Sequence, residues 1–228
     1  MTTKEQGFKD ARREVNGWLA PMERRALRWL AERTPPRVNS DHLSLLGLVA
    51  TLLAGLAYVL CRWTPAMLHV VNVALLLNWL GDSLDGTLAR YRRCCRPRYG
   101  FYVDHIIDAF GALFIVGGLG LSGLMSPAVA LLFLVAYYIL AINVYLTTYT
   151  LGVFRISFGA LGATELRVIL AAANVGVWLL PAVHVFGLRV LLFDLAGVLC
   201  AAGLLGIAVK ATIENTVRLY RIERLPTA

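Results

Sequence analysis

Charged residues are scarce: Asp, Glu, Lys and Arg make up only 16% of the 228 residues, where a soluble domain carries about a quarter. With 58% hydrophobic residues and a mean hydropathy of +0.67, that shortage excludes an ordinary soluble domain and marks an integral membrane protein. Cysteine is sparse as well. Cys61, Cys94, Cys95 and Cys200 show no metal-ligand spacing, and adjacent Cys94-Cys95 lie in a basic run, as expected of reduced thiols rather than disulfides. The first forty residues contain no apolar h-region, so a cleavable signal peptide is not expected. Internal repeats, low-complexity tracts and a second globular domain are lacking too. The net charge of +8 therefore has to be read by position along a membrane chain, not as a nucleic-acid footprint.

The apolar runs predict an all-α polytopic membrane protein with six spans, near 42–61, 66–89, 100–123, 127–151, 164–186 and 189–213. Each is about 20 residues, enough to cross about 30 Å of hydrocarbon. Lys and Arg crowd the stretch before the first span, the loop holding Arg90, Arg92, Arg93, Arg96 and Arg98, and the tail with Arg218, Arg221 and Arg224. Only Arg62 and Arg189 fall on the other side. Positive charge favours the inside, so both termini and the 90–99 loop are expected in the cytoplasm, at the inner membrane if the source is bacterial.

Residues 8–34 predict an amphipathic juxtamembrane helix. Trp18, Leu19, Met22, Leu27, Trp29 and Leu30 alternate with Arg24, Arg25, Arg28 and Arg33, and Pro35-Pro36 end it. A basic and aromatic face suits a helix lying on an anionic leaflet; packing on the protein's own loops is the alternative. The organisation expected is a cytoplasmic segment, 1–40, followed by a six-helix membrane catalytic domain, 41–228.

Acid is concentrated at one place. Asp82, Asp85, Gly86 and Ala89 follow an i, i+3, i+4, i+7 stripe on one helix, and Gly100, Asp104, Asp108 and Gly111 an i, i+4, i+8, i+11 stripe on the next. Carboxylates at membrane depth survive when paired, hydrated or bound to a cation. If the stripes face each other, four carboxylates converge, and they cannot all stay ionised unless something positive neutralises them. One or two hard divalent cations held through oxygen would do so.

The run Asp82-x2-Asp85-Gly86-x2-Ala89-Arg90-x9-Gly100-x3-Asp104-x3-Asp108 resembles the signature of the CDP-alcohol phosphotransferases, membrane enzymes of phospholipid synthesis. The resemblance implies a six-helix core, often homodimeric, that displaces CMP from a CDP-linked alcohol with a hydroxyl of a second substrate, using Mg²⁺ or Mn²⁺, two ions in all. It implies Asp82, Asp85 and Asp104 as the main metal ligands, with Asp108 near the attacking hydroxyl as ligand, general base or both. Gly86 and Ala89 would leave room for the nucleotide, Arg90 would offer donors to phosphate, and Gly100 would open the start of the facing helix. Asn39-Ser40-Asp41-His42-Leu43-Ser44 is similar to the family's Pro-Asn-x-Leu-Thr entry, with Asp41 and Ser44 as nucleotide contacts; capping by Ser40 or Asp41 is the other reading.

Thr147-Thr148-Tyr149-x2-Gly152-x2-Arg155, followed by Thr164-Glu165, resembles a stretch of the choline and ethanolamine phosphotransferases. There too a histidine follows the third aspartate, as His105 follows Asp104. This implies His105 and Glu165 as activators of the acceptor hydroxyl, although Glu165 also suits a helix N-terminus. Two donor schemes stay open. One joins a CDP-linked head group to a lipid acceptor such as diacylglycerol. The other joins CDP-diacylglycerol to a small polar alcohol, whose phosphate Arg155 and Arg167 would have to hold. Other classes are an ion or proton transporter, for which repeats and broken midplane helices would be expected, and an inactive scaffold. Asn78, one turn before Asp82, is expected to support the site or a neighbouring helix, and Asp194 to pair with Arg189.

Overall fold

The structure is a computed structural model and describes residues 19–152, 162–185 and 188–225. The chain opens with α1 (Ala20–Arg33) and continues through α2 (Ser40–Leu60), α3 (Met67–Tyr91), α4 (Pro97–Leu121), α5 (Pro127–Leu151) and α6 (Ala163–Leu179). A hairpin, β1 (Ala182–Val185) and β2 (Leu188–Leu191), leads into α7 (Leu192–Ile222). Five helices, α2, α3, α4, α5 and α7, are long and apolar enough to cross a membrane. The protein is a polytopic, helical membrane protein.

The structure corrects the span expected at 164–186. Helix α6 stops at Leu179, after 17 residues, because Pro181 lacks an N–H and disfavours helical backbone at Leu180. Leu180 has left helical backbone (φ −141°, ψ 86°), and the chain turns into the antiparallel pair Ala182↔Leu191 to Val185↔Leu188, where β-branched valines suit a strand. Helix α7 starts three residues later than the expected sixth span and runs on to Ile222, about 46 Å at 1.5 Å per residue. Asp194 does not reach Arg189 as expected; its Oδ1 accepts the backbone N–H of Ser126 at 2.6 Å, joining the start of α7 to the start of α5.

Helix α2 packs most extensively on α3 and α4, and α5 on α7. Two glycine contacts set the first of these. A Cβ on Gly118 would lie 2.2 Å from the carbonyl oxygen of Gly55, and one on Gly81 would lie 2.5 Å from the amide nitrogen of Gly47. The backbones of α2, α3 and α4 thus touch directly, as small residues allow in lipid. The main apolar core, including Ala54, Tyr58, Leu68, Val71 and Leu119, fills the end of the bundle away from the aspartates. A second cluster at the aspartate-bearing end joins Leu27 and Ala31 of α1 to Leu43, Leu84 and Leu88. Helix α1 therefore docks on α2 and α3 with one face and leaves Met22 and Trp29 exposed. Of the expected helix 8–34, residues 8–18 lie outside the described residues.

Candidate active site

Three helices each give a pair of residues, three apart, to one cleft: Ser44 and Gly47 from α2, Asp82 and Asp85 from α3, Asp104 and Ile107 from α4. The i, i+3 spacing puts both members on one helix face, and the Gly47–Gly81 contact holds α2 close enough for its side chains to reach α3. Ser44 Oγ donates to Asp85 Oδ2 at 2.5 Å. Asp82 Oδ2 accepts from Arg167 Nη2 at 2.6 Å, an ion pair that joins α3 to α6. Arg167 is held in turn by Asn78: its Nε donates to Asn78 Oδ1 at 2.7 Å, while Asn78 Nδ2 donates to Gly47 O at 3.1 Å. Arg167 Nη1 is buried and has no hydrogen-bond partner among the described residues.

Three of the four signature carboxylates thus line the cleft. Asp108, one turn along α4, lies beyond that lining on an exposed position. Among the described residues no three His, Cys, Asp or Glu side chains form a ready-made ion cage. The lining donors are nonetheless all oxygen, and Arg167 sets one positive charge against three carboxylates. That chemistry fits a hard divalent cation, which Asp82, Asp85 and Asp104 would hold.

His105 Nδ1 lies 2.5 Å from the carbonyl oxygen of Phe101 and 4.0 Å from Asp104 Oδ2. A carbonyl only accepts, so in the neutral ring Nδ1 carries the proton and Nε2 is the basic nitrogen. The ring stacks at 4.1 Å on Phe101 and meets Tyr145 edge-on at 5.0 Å. Glu165 stands elsewhere. It is 2% exposed, with Oε1 accepting the N–H of Leu19 and Oε2 that of Gly162, both at 2.9 Å. Its carboxylate closes the start of α6 and ties it to the start of α1.

The remaining expected residues are spread around the mouth. Gly86 lies beneath the Arg90 guanidinium, which an added Cβ would approach to 3.3 Å; Arg90 Nη2 donates to Thr87 Oγ1 at 3.3 Å and is exposed. Ala89 is half-buried, and its carbonyl accepts the Cys94 N–H at 3.0 Å. Gly100 is exposed with open space at its Cα. Asp41 pairs with Arg96, which fastens the start of α2 to the start of α4. Helix α2 is capped by neither Ser40 nor Asp41: Asn39 Oδ1 accepts the His42 N–H at 3.0 Å, and His42 Nδ1 accepts the Asn39 N–H at 3.3 Å. Arg155 lies outside the described residues.

Three features escaped the sequence. Glu23 Oε1 accepts from Trp79 Nε1 at 2.9 Å and from Thr164 Oγ1 at 2.5 Å, linking α1, α3 and α6. Beside this link runs an open groove of about 350 Å³, walled mainly by Leu19, Met22, Ala26, Leu75, Leu76 and Val168, with Arg167 also in its lining. Its walls come from three segments more than forty residues apart, so no local pattern could reveal it. Asn72 and Asn174 were equally silent, yet Tyr58 OH donates to Asn174 Oδ1 and Asn174 Nδ2 to Asn72 Oδ1, each at 2.7 Å.

The fold and this cleft define a polytopic membrane protein with a carboxylate cluster at one end of its bundle. No protein-family model matches the sequence. The chain is 27% identical over 199 residues to cholinephosphotransferase 1 of Gallus gallus, and the match takes in 80% of this chain. It is thus a distant relative of a member of the CDP-alcohol phosphotransferase family, the family its aspartate signature resembles. The match spans 57% of that relative's length.

Proposed function

We propose that this protein is a CDP-alcohol phosphotransferase of phospholipid synthesis, moving a substituted phosphate from a CDP-alcohol to an acceptor hydroxyl with release of CMP. The observation that carries the reading is the convergence of Asp82, Asp85 and Asp104 with Ser44 on one cleft between α2, α3 and α4. Mg²⁺ or Mn²⁺, when bound there, would neutralise the diphosphate oxygens and the charge growing on the departing CMP. Ser44 orients Asp85, and Arg167 orients Asp82. His105, with Nδ1 anchored on Phe101, presents Nε2 as the base for the acceptor hydroxyl, near Asp104 and Asp108. Glu165 acts as a positioning residue that fixes α1 against α6.

A head group as the CDP-linked donor and a lipid as the acceptor are the favoured substrates. The name of the relative supports this choice, and the apolar groove beside Arg167 is compatible with it, since such a groove suits an acyl chain. The groove equally suits the tails of CDP-diacylglycerol, the specific observation behind the second reading, in which a small polar alcohol attacks. Helix α6 would complete a sixth crossing: it meets Asp82 of α3 through Arg167 at one end and His69 through Trp178 at the other, ring centroids 4.9 Å apart. The excess of arginine at the aspartate-bearing end would place the cleft in the cytoplasm.

Purified protein incubated with Mg²⁺, CDP-choline and diacylglycerol should release CMP. Release only from CDP-diacylglycerol with a small alcohol would select the second reading. Failure with every donor, or undiminished release by a folded Asp82→Asn variant, would overturn the assignment.

A further inference from the structure

We propose that Arg167 is a built-in counter-ion for Asp82, with which an incoming divalent cation must compete. The inference rests on the metal-dependent reading of the cleft. Asp82, Asp85 and Asp104 share one lining, and like charges so placed repel. Ser44 offers Asp85 a neutral donor, whereas Arg167 brings a full positive charge to Asp82 at 2.6 Å. The side chains of the pair are 16% and 22% exposed, Arg167 first, so solvent screens them only partly.

The arginine is also aimed. Asn78 grips Nε from one side and is fixed to the backbone of α2 at Gly47 on the other, which leaves Nη2 directed at Asp82. A permanent structural arginine at such depth normally satisfies all its donors. Here Nη1 is buried without an acceptor among the described residues. The guanidinium is therefore incompletely satisfied in this arrangement, which lowers the barrier to a change of partner. Arg167 also borders the apolar groove, so the same side chain touches the carboxylate cleft and the lipid-sized groove. Loading the cleft with a cation replaces the charge that Arg167 supplies and releases its hold on α3.

The test is Mn²⁺ binding to the purified full chain, followed by the EPR signal of free Mn²⁺, with the thermal midpoint measured in the absence of metal. Removing a positive charge a few ångströms from the ion should tighten binding at least about tenfold in Arg167→Gln. The same change should lower the metal-free midpoint, and Mn²⁺ should restore it. Arg167→Lys keeps the charge and should stay near wild type. Equal affinity in wild type and Arg167→Gln, with none in Asp82→Asn, overturns the counter-ion while leaving the metal reading intact. Wild-type affinity in Asp82→Asn, or no binding by the wild type, removes both. Arg167→Lys behaving as Arg167→Gln would show that the fork rather than the charge matters, and overturns the proposal. If Arg167→Gln does not fold, Asn78→Ala takes its place. Loosening Nε should tighten Mn²⁺ binding about fivefold, the equivalent of one hydrogen bond of about 1 kcal/mol; an unchanged or weaker affinity counts against the idea.

Discussion

Adding one methyl group to Gly81 should damage both the stability and the activity of this protein, because nothing beside it can yield. A Cβ there would lie 2.5 Å from Gly47 N and 2.6 Å from Leu43 O, and both are helix backbone. Ordinary contact begins near 3.4 Å, so α2 and α3 must part by about 0.9 Å. Ser44 and Asp85 sit one turn along from that contact on either helix, and their hydrogen bond of 2.5 Å would stretch to about 3.4 Å. Overpacking costs about 1–3 kcal/mol, and loss of a hydrogen bond to a charged acceptor about 1.5–3 kcal/mol. The better helix propensity of alanine returns about 1 kcal/mol. The net loss expected for Gly81→Ala is about 1.5–5 kcal/mol, measured by reversible unfolding in mixed micelles. CMP release should fall about a hundredfold, as expected for a misplacement near 1 Å. Gly117→Ala is the control, since an added Cβ there meets nothing within 4 Å, and it should match or slightly exceed wild-type stability. A Gly81→Ala protein within about 0.5 kcal/mol of wild type and with normal turnover would refute the claim that this contact sets the cleft.

Asp104→Asn removes one of three converging carboxylates and should reduce CMP release at least about a hundredfold with little loss of stability, read as turnover beside a thermal melt. His105→Ala should depress kcat more than KM if Nε2 is the base. Glu165→Gln should leave kcat largely intact at low temperature. It should instead loosen α1, because an amide cannot accept both the Leu19 and Gly162 N–H groups; faster tryptic cleavage at Arg24, Arg25 or Arg28 is the readout. An impermeant maleimide should reach Cys94 and Cys95, both exposed near the aspartate-bearing end, only from the cytoplasmic side of sealed vesicles; labelling from outside would reverse the orientation.

Periodicity and hydropathy are local quantities, and what they dictate was legible. The apolar runs located α2 to α5 to within a few residues, and the i, i+3 register put Asp82 and Asp85 on the face that meets the cleft. The end of α6 was missed because the run 164–186 stays apolar through Pro181; hydropathy does not register the missing N–H that turns the backbone into a hairpin. The cap on α2 was misplaced by one or two residues because Asn39, Ser40 and Asp41 are all good capping types. Only the geometry shows that Asp41 is drawn away by Arg96. Glu165 illustrates another limit: its partners are backbone N–H groups, one of them 146 residues away, and backbone donors leave no mark in a sequence.

The same reasoning explains why the cleft sits where it does. Helices α3 and α4 each run 25 residues, about 37 Å at 1.5 Å per residue, longer than the hydrocarbon thickness of about 30 Å. Their surplus length carries Asp82, Asp85 and Asp104 toward one boundary, where the large apolar core has ended and polar side chains from α2 and α6 reach Asp85 and Asp82. A water-soluble substrate and a lipid can meet only at such a boundary. Arg167 pairs with Asp82 of the carboxylate cleft and also lines the apolar groove. The proposed reaction, joining a nucleotide-linked head group to a membrane-held hydroxyl, would need both surfaces close together, and Arg167 links the cleft between α2, α3 and α4 to the groove between α1, α3 and α6.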